Sequence, residues 1–516
     1  WGLNIVRRRQ KSAQQLFWNT VDPTINGLLT QSGKVKNFEN IKPPVRLQLS
    51  PYISSYLTHD GLAESGTKQT TATVNGGMDV KYGINQAFTL DMTLIPDFGQ
   101  VQSDNRVLNV GPFEQQFSEN RAFFTEGTDL FSKGNLFYSR RIGAQPIHYY
   151  DAQSQVGAHE FISKNPAQSK IINATKISGR TQKGLGIGIL NAITNTQYAI
   201  IGDSIFLNKT RKVETDPFTN YNVFVLNQSL KNNSSISFVN TNVLRSGKDY
   251  DANVSSLLFD FNDKKNKWNI GGSLGTSMLF FSNNKNKIGY THSIYFGKTS
   301  GRFTFNIWQD LTNDEYDKND LGYFTNNNTM DQGIWMGYRW NKPKGWYNSL
   351  RMNINGWASR LVTPLDPLKG RKRMSQGGGI NYNLNAQTKK FWDIGLNVNG
   401  GFNYNDFYEA RIPGRVFANK GRVGGSFYWN SNSTKKLSWG GNFFTGTGGV
   451  FNRVSIDYGL YGKIRFNSRF SVNLDVSSQS ATNAPGFAFI SDNGTNNPDV
   501  VFSRRDVRSV SNTLNI

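Results

Sequence analysis

Between residues 451 and 478 polar and apolar positions alternate strictly. Val454, Ile456, Tyr458, Leu460, Ile464 and Phe466 fall on one face of an extended ribbon, and Arg453, Ser455, Asp457, Gly459, Tyr461, Lys463 and Arg465 on the other. Asn467-Ser468 turns the chain. Phe470, Val472, Leu474 and Val476 then oppose Ser471, Asn473, Asp475 and Ser477. Strand side chains point to opposite faces in turn, so this is a hairpin with one apolar and one polar face. In a soluble sandwich the polar face lies outside. In a membrane barrel it lines the lumen, and the apolar face meets lipid.

The same alternation recurs along the chain. Strands are expected near 45–50, 70–82 and 87–95, and from residue 169 onward in a regular series. Phe303, Phe305 and Ile307 oppose Arg302, Thr304 and Asn306; Ile380, Tyr382 and Leu384 oppose Asn381, Asn383 and Asn385; Ile394, Leu396 and Val398 oppose Gly395, Asn397 and Asn399. Most segments are about 9–12 residues, the length that crosses a bilayer when tilted. Short links (231–233, 263–266, 298–301, 341–346, 386–390, 431–435) are interleaved with long ones (312–331, 359–374, 404–421, 479–508). Short turns at one end and long loops at the other mark an outer-membrane barrel. Aromatic residues near strand ends (Trp335, Tyr338, Trp340, Trp346, Tyr347, Phe391, Trp392, Phe427, Tyr428, Trp429) predict two interfacial girdles. The fold expected is therefore all-β: a transmembrane antiparallel up-and-down β-barrel of about 18–22 strands with a long ordered loop or plug. Residues 1–44 read as a lead-in segment and 45–516 as the barrel.

Composition narrows this without changing it. Of 516 residues, 37% are hydrophobic and 13% aromatic, and mean hydropathy is −0.52. No run approaches the roughly 20 apolar residues of a membrane helix. The absence of cysteine removes disulfide frameworks and thiolate chemistry. No apolar leader core opens the chain, and both ends read as cut. The net charge of +22 is spread over polar strand faces and loops such as Lys369, Arg371, Lys372 and Arg373. That spread suits a basic lumen and rims facing anionic headgroups better than a nucleic-acid surface. The lumen-lining basic candidates are Arg302, Arg351, Arg453, Lys463 and Arg465.

One stretch, 97–143, breaks the alternation: DFGQVQSDNRVLNVGPFEQQFSENRAFFTEGTDLFSKGNLFYSRRIG. A loop this long in a regular protein is often functional. DFGQVQSD, the run from Phe113 to Phe131 and LFYSRRIG resemble a family of Bacteroidota outer-membrane β-barrels. WGLN at the start, ENIKPP and the segment 217–245 share the likeness. Members of that family usually carry a family-nine-like carbohydrate-binding domain ahead of the barrel, which residues 1–516 are not expected to include. The resemblance implies a barrel in the bacterial outer membrane, among lipid, lipopolysaccharide and other outer-membrane proteins. It does not imply a specific activity.

Candidate chemistry is sparse. His59, His148, His159 and His292 have no metal-ligand spacing, and no nucleophile elbow is present. The acidic cluster Glu114, Glu119, Glu126 and Asp129, with Arg121, Arg140 and Arg141, can be read three ways. It could serve as an acid–base pair on a glycan, as a Ca²⁺ site, or as an ion-paired plug that packs Phe113, Phe117, Phe123, Phe124 and Phe131 on the barrel wall. The plug fits best, because the Arg residues balance the carboxylates. Asp314, Glu315, Asp317 and Asp320 are expected in a solvated outer loop. No cofactor is expected. The leading function is a non-enzymatic barrel, either a solute pore or a subunit of an outer-membrane assembly. A glycan-binding or glycan-processing role for 97–143 is the alternative.

Overall fold

The structure is a computed structural model. It describes residues 2–9, 14–37, 46–59, 70–96, 109, 111–206, 209–282, 284–365, 374–467, 469–494 and 498–515. The DFGQVQSD and ENIKPP stretches and the 369–373 basic loop lie largely outside the described residues.

Twenty long strands carry the fold: β1 (Leu47–His59), β2 (Thr70–Gly83), β3 (Phe88–Leu94), β4 (Ile171–Arg180), β5 (Leu185–Thr194), β6 (Thr219–Ser229), β7 (Ser235–Arg245), β8 (Asp251–Asn262), β9 (Trp268–Phe280) and β10 (Lys287–Lys298). The series continues with β11 (Phe303–Thr312), β12 (Thr329–Trp340), β13 (Tyr347–Arg360), β14 (Ser375–Thr388), β15 (Asp393–Gly401), β16 (Arg422–Asn430), β17 (Leu437–Gly448), β18 (Arg453–Arg465), β19 (Ser471–Ser491) and β20 (Asp499–Asn515). Each pairs antiparallel with the next, and the barrel order returns β20 to β1. Residue pairings are described from β1 through to β20; none across the β20–β1 seam is among them.

The 451–478 hairpin pairs as its alternation requires, with Ile456 opposite Ser480 and Leu460 opposite Val476. Ile456, Leu460, Ile464 and Leu474 are all exposed on the outer surface. At the short-turn end the outer surface carries an aromatic cluster: Trp268 stacks on Phe296 at 5.7 Å, Trp439 meets Trp392 at 5.4 Å, and Phe466 stacks on Phe470 at 5.0 Å. Such rings suit a headgroup level. Trp335 and Tyr428 do not join it. Trp335 packs on Gly337 and is in register with inward Asn306, and Tyr428 gives its hydroxyl to inward Asn385 at 2.8 Å.

Three expectations need correction. Residues 479–491 and 499–508 are strand, not loop. Pairing continues past Ala481–Val507, slips at a bulge where Asn483 adopts φ 55°, and resumes from Ala484–Arg505 to Ser491–Asp499. Pro485 and Gly486 beside that bulge read as turn residues, but a bulge tolerates both. Second, the acidic loop after β11 is solvated only in part: Asp314 and Glu315 are exposed, whereas Asp317 and Asp320 are not. Asp320 is buried against Arg245 at 2.6 Å and accepts from the Tyr250 hydroxyl at 2.9 Å, because Tyr316 and Leu321 pull the loop into the core.

Third, the polar face is not inside everywhere. On β5–β8 the inward side chains include Leu190, Ala192, Tyr221, Val223, Val225, Val239, Val243, Ala252 and Val254, all buried, and the inward polar ones (Thr194, Thr219, Asn227, Ser237, Thr241, Ser256) are buried with them. Outward, Asn191, Asn222, Asn242 and Asn253 stand in one register row. Asn191 Nδ2 donates to Asn220 and Asn222 at 2.7 and 2.8 Å, and Asn240 Nδ2 to Asn253 and Ser255 at 3.0 and 2.9 Å. The physical reason is local. A segment packs on the inside of this wall, so the inner face is a dry core that selects apolar residues.

Outside the barrel, Glu160–Lys164, Gln197–Asp203 and Thr210–Asp216 form a three-stranded sheet at the long-loop end of β5–β6. The lead-in segment docks at the opposite end. Gly301 N donates to Thr24 O at 2.8 Å, and Asn26 N to Ser300 Oγ at 2.9 Å, on the β10–β11 turn.

Candidate functional site: a plug and a polar lumen wall

β3 is short because the chain leaves it early. Ile95 takes φ 48° and its carbonyl accepts from the Tyr52 hydroxyl at 2.7 Å. Residues 111–143 lie against the inside of the wall, and the chain rejoins the barrel at β4. Phe124, Leu130, Phe131, Leu136 and Ile142 of this segment form one buried cluster with the inner wall. The wall makes room with glycine. A Cβ on Gly186 would sit 2.9 Å from Leu130, and one on Gly188 would sit 3.2 Å from the Phe131 ring.

Arg121 organises the plug. Its Nε and Nη2 donate to Glu119 at 2.9 and 2.7 Å, and its Nη1 and Nη2 donate to the carbonyls of Ile142 and Ser139 at 2.9 and 2.7 Å. Its guanidinium lies 4.4 Å from the Phe124 ring centroid. Ser139 Oγ adds a bond to Glu119 at 2.6 Å. A planar fork suits this bidentate arrangement, and the cluster ties both limbs of the plug together. Burial alone raises the Glu119 carboxyl, but the Arg121 and Ser139 bonds and the Arg121 charge outweigh it and hold the group below its usual range. Arg140 stands 4.0 Å from Glu119 and donates to Ser118 O at 3.1 Å. Arg141 grips Glu114 bidentately at 3.0 and 2.8 Å and Gly322 O at 3.0 Å, which joins plug to outer loop.

Glu126 turns instead to the wall, 2.5 Å from Lys81 Nζ, whose hydrogen bond is the main reason its carboxyl is lowered. Lys176, only 2% exposed, donates to Glu126 O at 2.6 Å and to Phe123 O, and stands 3.9 Å from Asp91. These groups border a cavity of about 150 Å³ lined by Gln48, Asp79, Lys81, Asp91, Phe123 and Lys176. Six of the seven cluster residues picked from sequence thus lie in ion-paired contacts. Asp129 is exposed and outside them. A carboxyl held low and closed in by Arg121 is a poor general acid. Among the described residues no three His, Asp or Glu side chains gather as a metal site.

The opposite wall is different. Asn353, Asn355, Asn381, Asn383, Asn397 and Asn399 face inward on β13–β15 in a bonded ladder: Asn355 donates to Asn381 at 2.6 Å, Asn383 to Asn353 at 2.8 Å, and Asn397 to Asn383 at 2.7 Å. All six are half-buried. Arg351 faces inward beside Arg339; Arg453, Lys463 and Arg465 share the inner face of β18; Arg302 sits at the turn before β11. Sequence reading missed Lys81, Asp91 and Lys176. A lone lysine between Ala174 and Ile177 on a half-apolar strand was the available signal for Lys176.

An apolar outer surface, a polar inner wall and an ion-paired inner segment define the class: an up-and-down β-barrel with an internal plug. The chain belongs to the family described as a domain of unknown function (DUF5916), which matches residues 43–516. No curated protein matches. Among solved structures the chain is similar to the crystal structure of Pseudomonas aeruginosa OccK9 (OpdG), at 9% identity over 69% of this chain and 95% of that chain, with a TM-score of 0.34. At that distance the likeness adds nothing to what the sheet itself displays.

Proposed function

We propose that this is an outer-membrane barrel that passes small polar solutes along the β11–β18 side of its lumen, with the plug narrowing the other side. The observation that carries this reading is the asymmetry of the interior. Apolar residues on β5–β8 are sealed under the plug, while the Asn ladder and the Arg and Lys side chains opposite remain half-open to water. A purely structural barrel has no need for an amide-lined wall, whereas a water-filled lumen does. Planar-bilayer recording tests it. Single-channel steps in the purified protein support a pore, and a barrel that inserts and never conducts refutes it.

One observation favours a second reading, a barrel subunit of a larger assembly. The outward row Asn191, Asn222, Asn242 and Asn253 places amides where lipid is expected, and amides facing hydrocarbon are costly unless a partner covers them. Native mass spectrometry from mild detergent, compared with an Asn222→Leu/Asn242→Leu variant, tests this. Loss of a larger species in the variant supports a subunit role, and a monomer in both contradicts it.

A further inference from the structure

We propose that Arg422 and Arg453 form an oxyanion-binding site at the long-loop end of the lumen, for a carboxylate, phosphate or sulfate group carried by a soluble solute. Arg422, Gly448 and Arg453 are consecutive cross-strand partners on β16, β17 and β18, all on the inner face. On its other side Arg422 pairs with Gly401. Two guanidiniums therefore flank a bare glycine, with a second bare glycine next to them. The gap is built into the backbone. Gly448 has φ 133°, and a Cβ there would lie 2.4 Å from Gly421 O and 2.7 Å from Arg422 Cα.

Arg422 and Arg453 stand two strands apart across Gly448, and their like charges repel with no side chain between them, so the juxtaposition needs a reason. Arg422 Nη2 donates to the Tyr404 hydroxyl at 2.6 Å, and Arg453 Nε donates to Ser455 Oγ at 3.0 Å. Neither partner is an anion. Asp457, four residues along the same face of β18, is the carboxylate whose charge reaches Arg453. Arg422 Nε is buried and has no hydrogen-bond partner. A buried donor left empty costs free energy that an incoming acceptor recovers. Paired forks of this kind match the planar or tetrahedral oxygens of an oxyanion. Lipid headgroups are outside the barrel wall, so the ligand arrives dissolved in the lumen.

This inference rests on the reading of a water-accessible lumen. The test is titration of detergent-solubilised protein with inorganic phosphate, followed by ³¹P line broadening. The wild type is expected to give saturable broadening. Arg422→Gln/Arg453→Gln is expected to weaken it about tenfold or more, and Arg422→Lys to weaken it less, since charge persists without the fork. Arg302→Gln/Arg465→Gln, at the other end of the lumen, is expected to leave it unchanged. Heat-modifiable gel migration checks that each variant stays folded. No saturable broadening, or equal broadening in the double Arg422/Arg453 variant, overturns the site. The titration reads binding whether or not the barrel conducts. Phosphate binding without conductance removes the pore and leaves the site, whereas conductance without binding removes the site alone.

Discussion

Arg121→Ala is the perturbation that most sharply tests the plug. The substitution removes four donated bonds within 3.0 Å, two to Glu119 and one each to the carbonyls of Ile142 and Ser139. It leaves Glu119, whose side chain is 13% exposed, with the Ser139 hydroxyl at 2.6 Å and the residue-121 backbone N–H at 2.8 Å as close donors, and neither carries a charge. Breaking a buried pair by deleting one member costs about 3–5 kcal/mol, mostly from the stranded charge. At 1.4 kcal/mol per decade, that raises the open population of the plug roughly 10²- to 4 × 10³-fold. The loss is local, because the β-ladders contain neither residue. Hydrogen exchange of peptides covering 117–142 reads that population directly when closing is fast. Exchange there should accelerate by that factor while β11–β18 peptides stay protected. Glu119→Gln/Arg121→Met should recover much of the protection, since no charge is stranded. An increase under threefold in Arg121→Ala, or a double variant no better than the single one, would refute the reasoning.

Gly188→Leu places a side chain where Phe131 lies 3.2 Å from the would-be Cβ. It should expel the plug and enlarge the conductance steps, while heat-modifiable migration persists; unchanged steps count against the packing. Acid should loosen the plug through Glu119. Its folded value is lowered, so its contribution is present above the ordinary carboxylate range near 4.3 and is lost as pH falls through the lowered value. Protection of 117–142, taken relative to the intrinsic exchange rate, should therefore be flat from pH 7 to about 5 and fall below about 4. His148 behaves oppositely. Burial lowers it, but its bonds to Asp151 and Asp249, at 2.8 and 2.9 Å, raise it overall. That tie is full below the ordinary value near 6.5 and is lost as pH rises through the raised one, which NMR titration of the His148 ring can follow.

Where alternation was clean, the fold was readable. Phe303–Ile307, Ile380–Leu384 and Val454–Ile464 each put apolar side chains outside, as their period-2 pattern requires. Where both faces of a strand are apolar, the pattern falls silent. Val223-Phe224-Val225-Leu226 does not reveal which face is covered by the plug, because the covering segment lies far away in sequence. The outward asparagines were misread for the same reason: a polar face means lumen only while the lumen holds water. The plug was legible as a break at 97–143, and its Arg–carboxylate balance was visible in the residue types. Its wall contacts, Lys81 to Glu126 and Lys176 to Phe123, depend on strand neighbours that no local spacing encodes. The Arg422–Gly448–Arg453 row likewise exists only once three strands are in register.

The central claim is that Ile456, Leu460 and Leu474 face lipid while Ser455 and Lys463 face the lumen. The chain has no cysteine, so single cysteines at these positions can be spin-labelled without background. In reconstituted bilayers, power-saturation EPR compares access by oxygen, which concentrates in hydrocarbon, with access by a water-soluble nickel chelate. Labels at 456, 460 and 474 should favour oxygen, and labels at 455 and 463 should favour nickel. Equal accessibility across the two sets, or a reversed order, would contradict a membrane-spanning barrel.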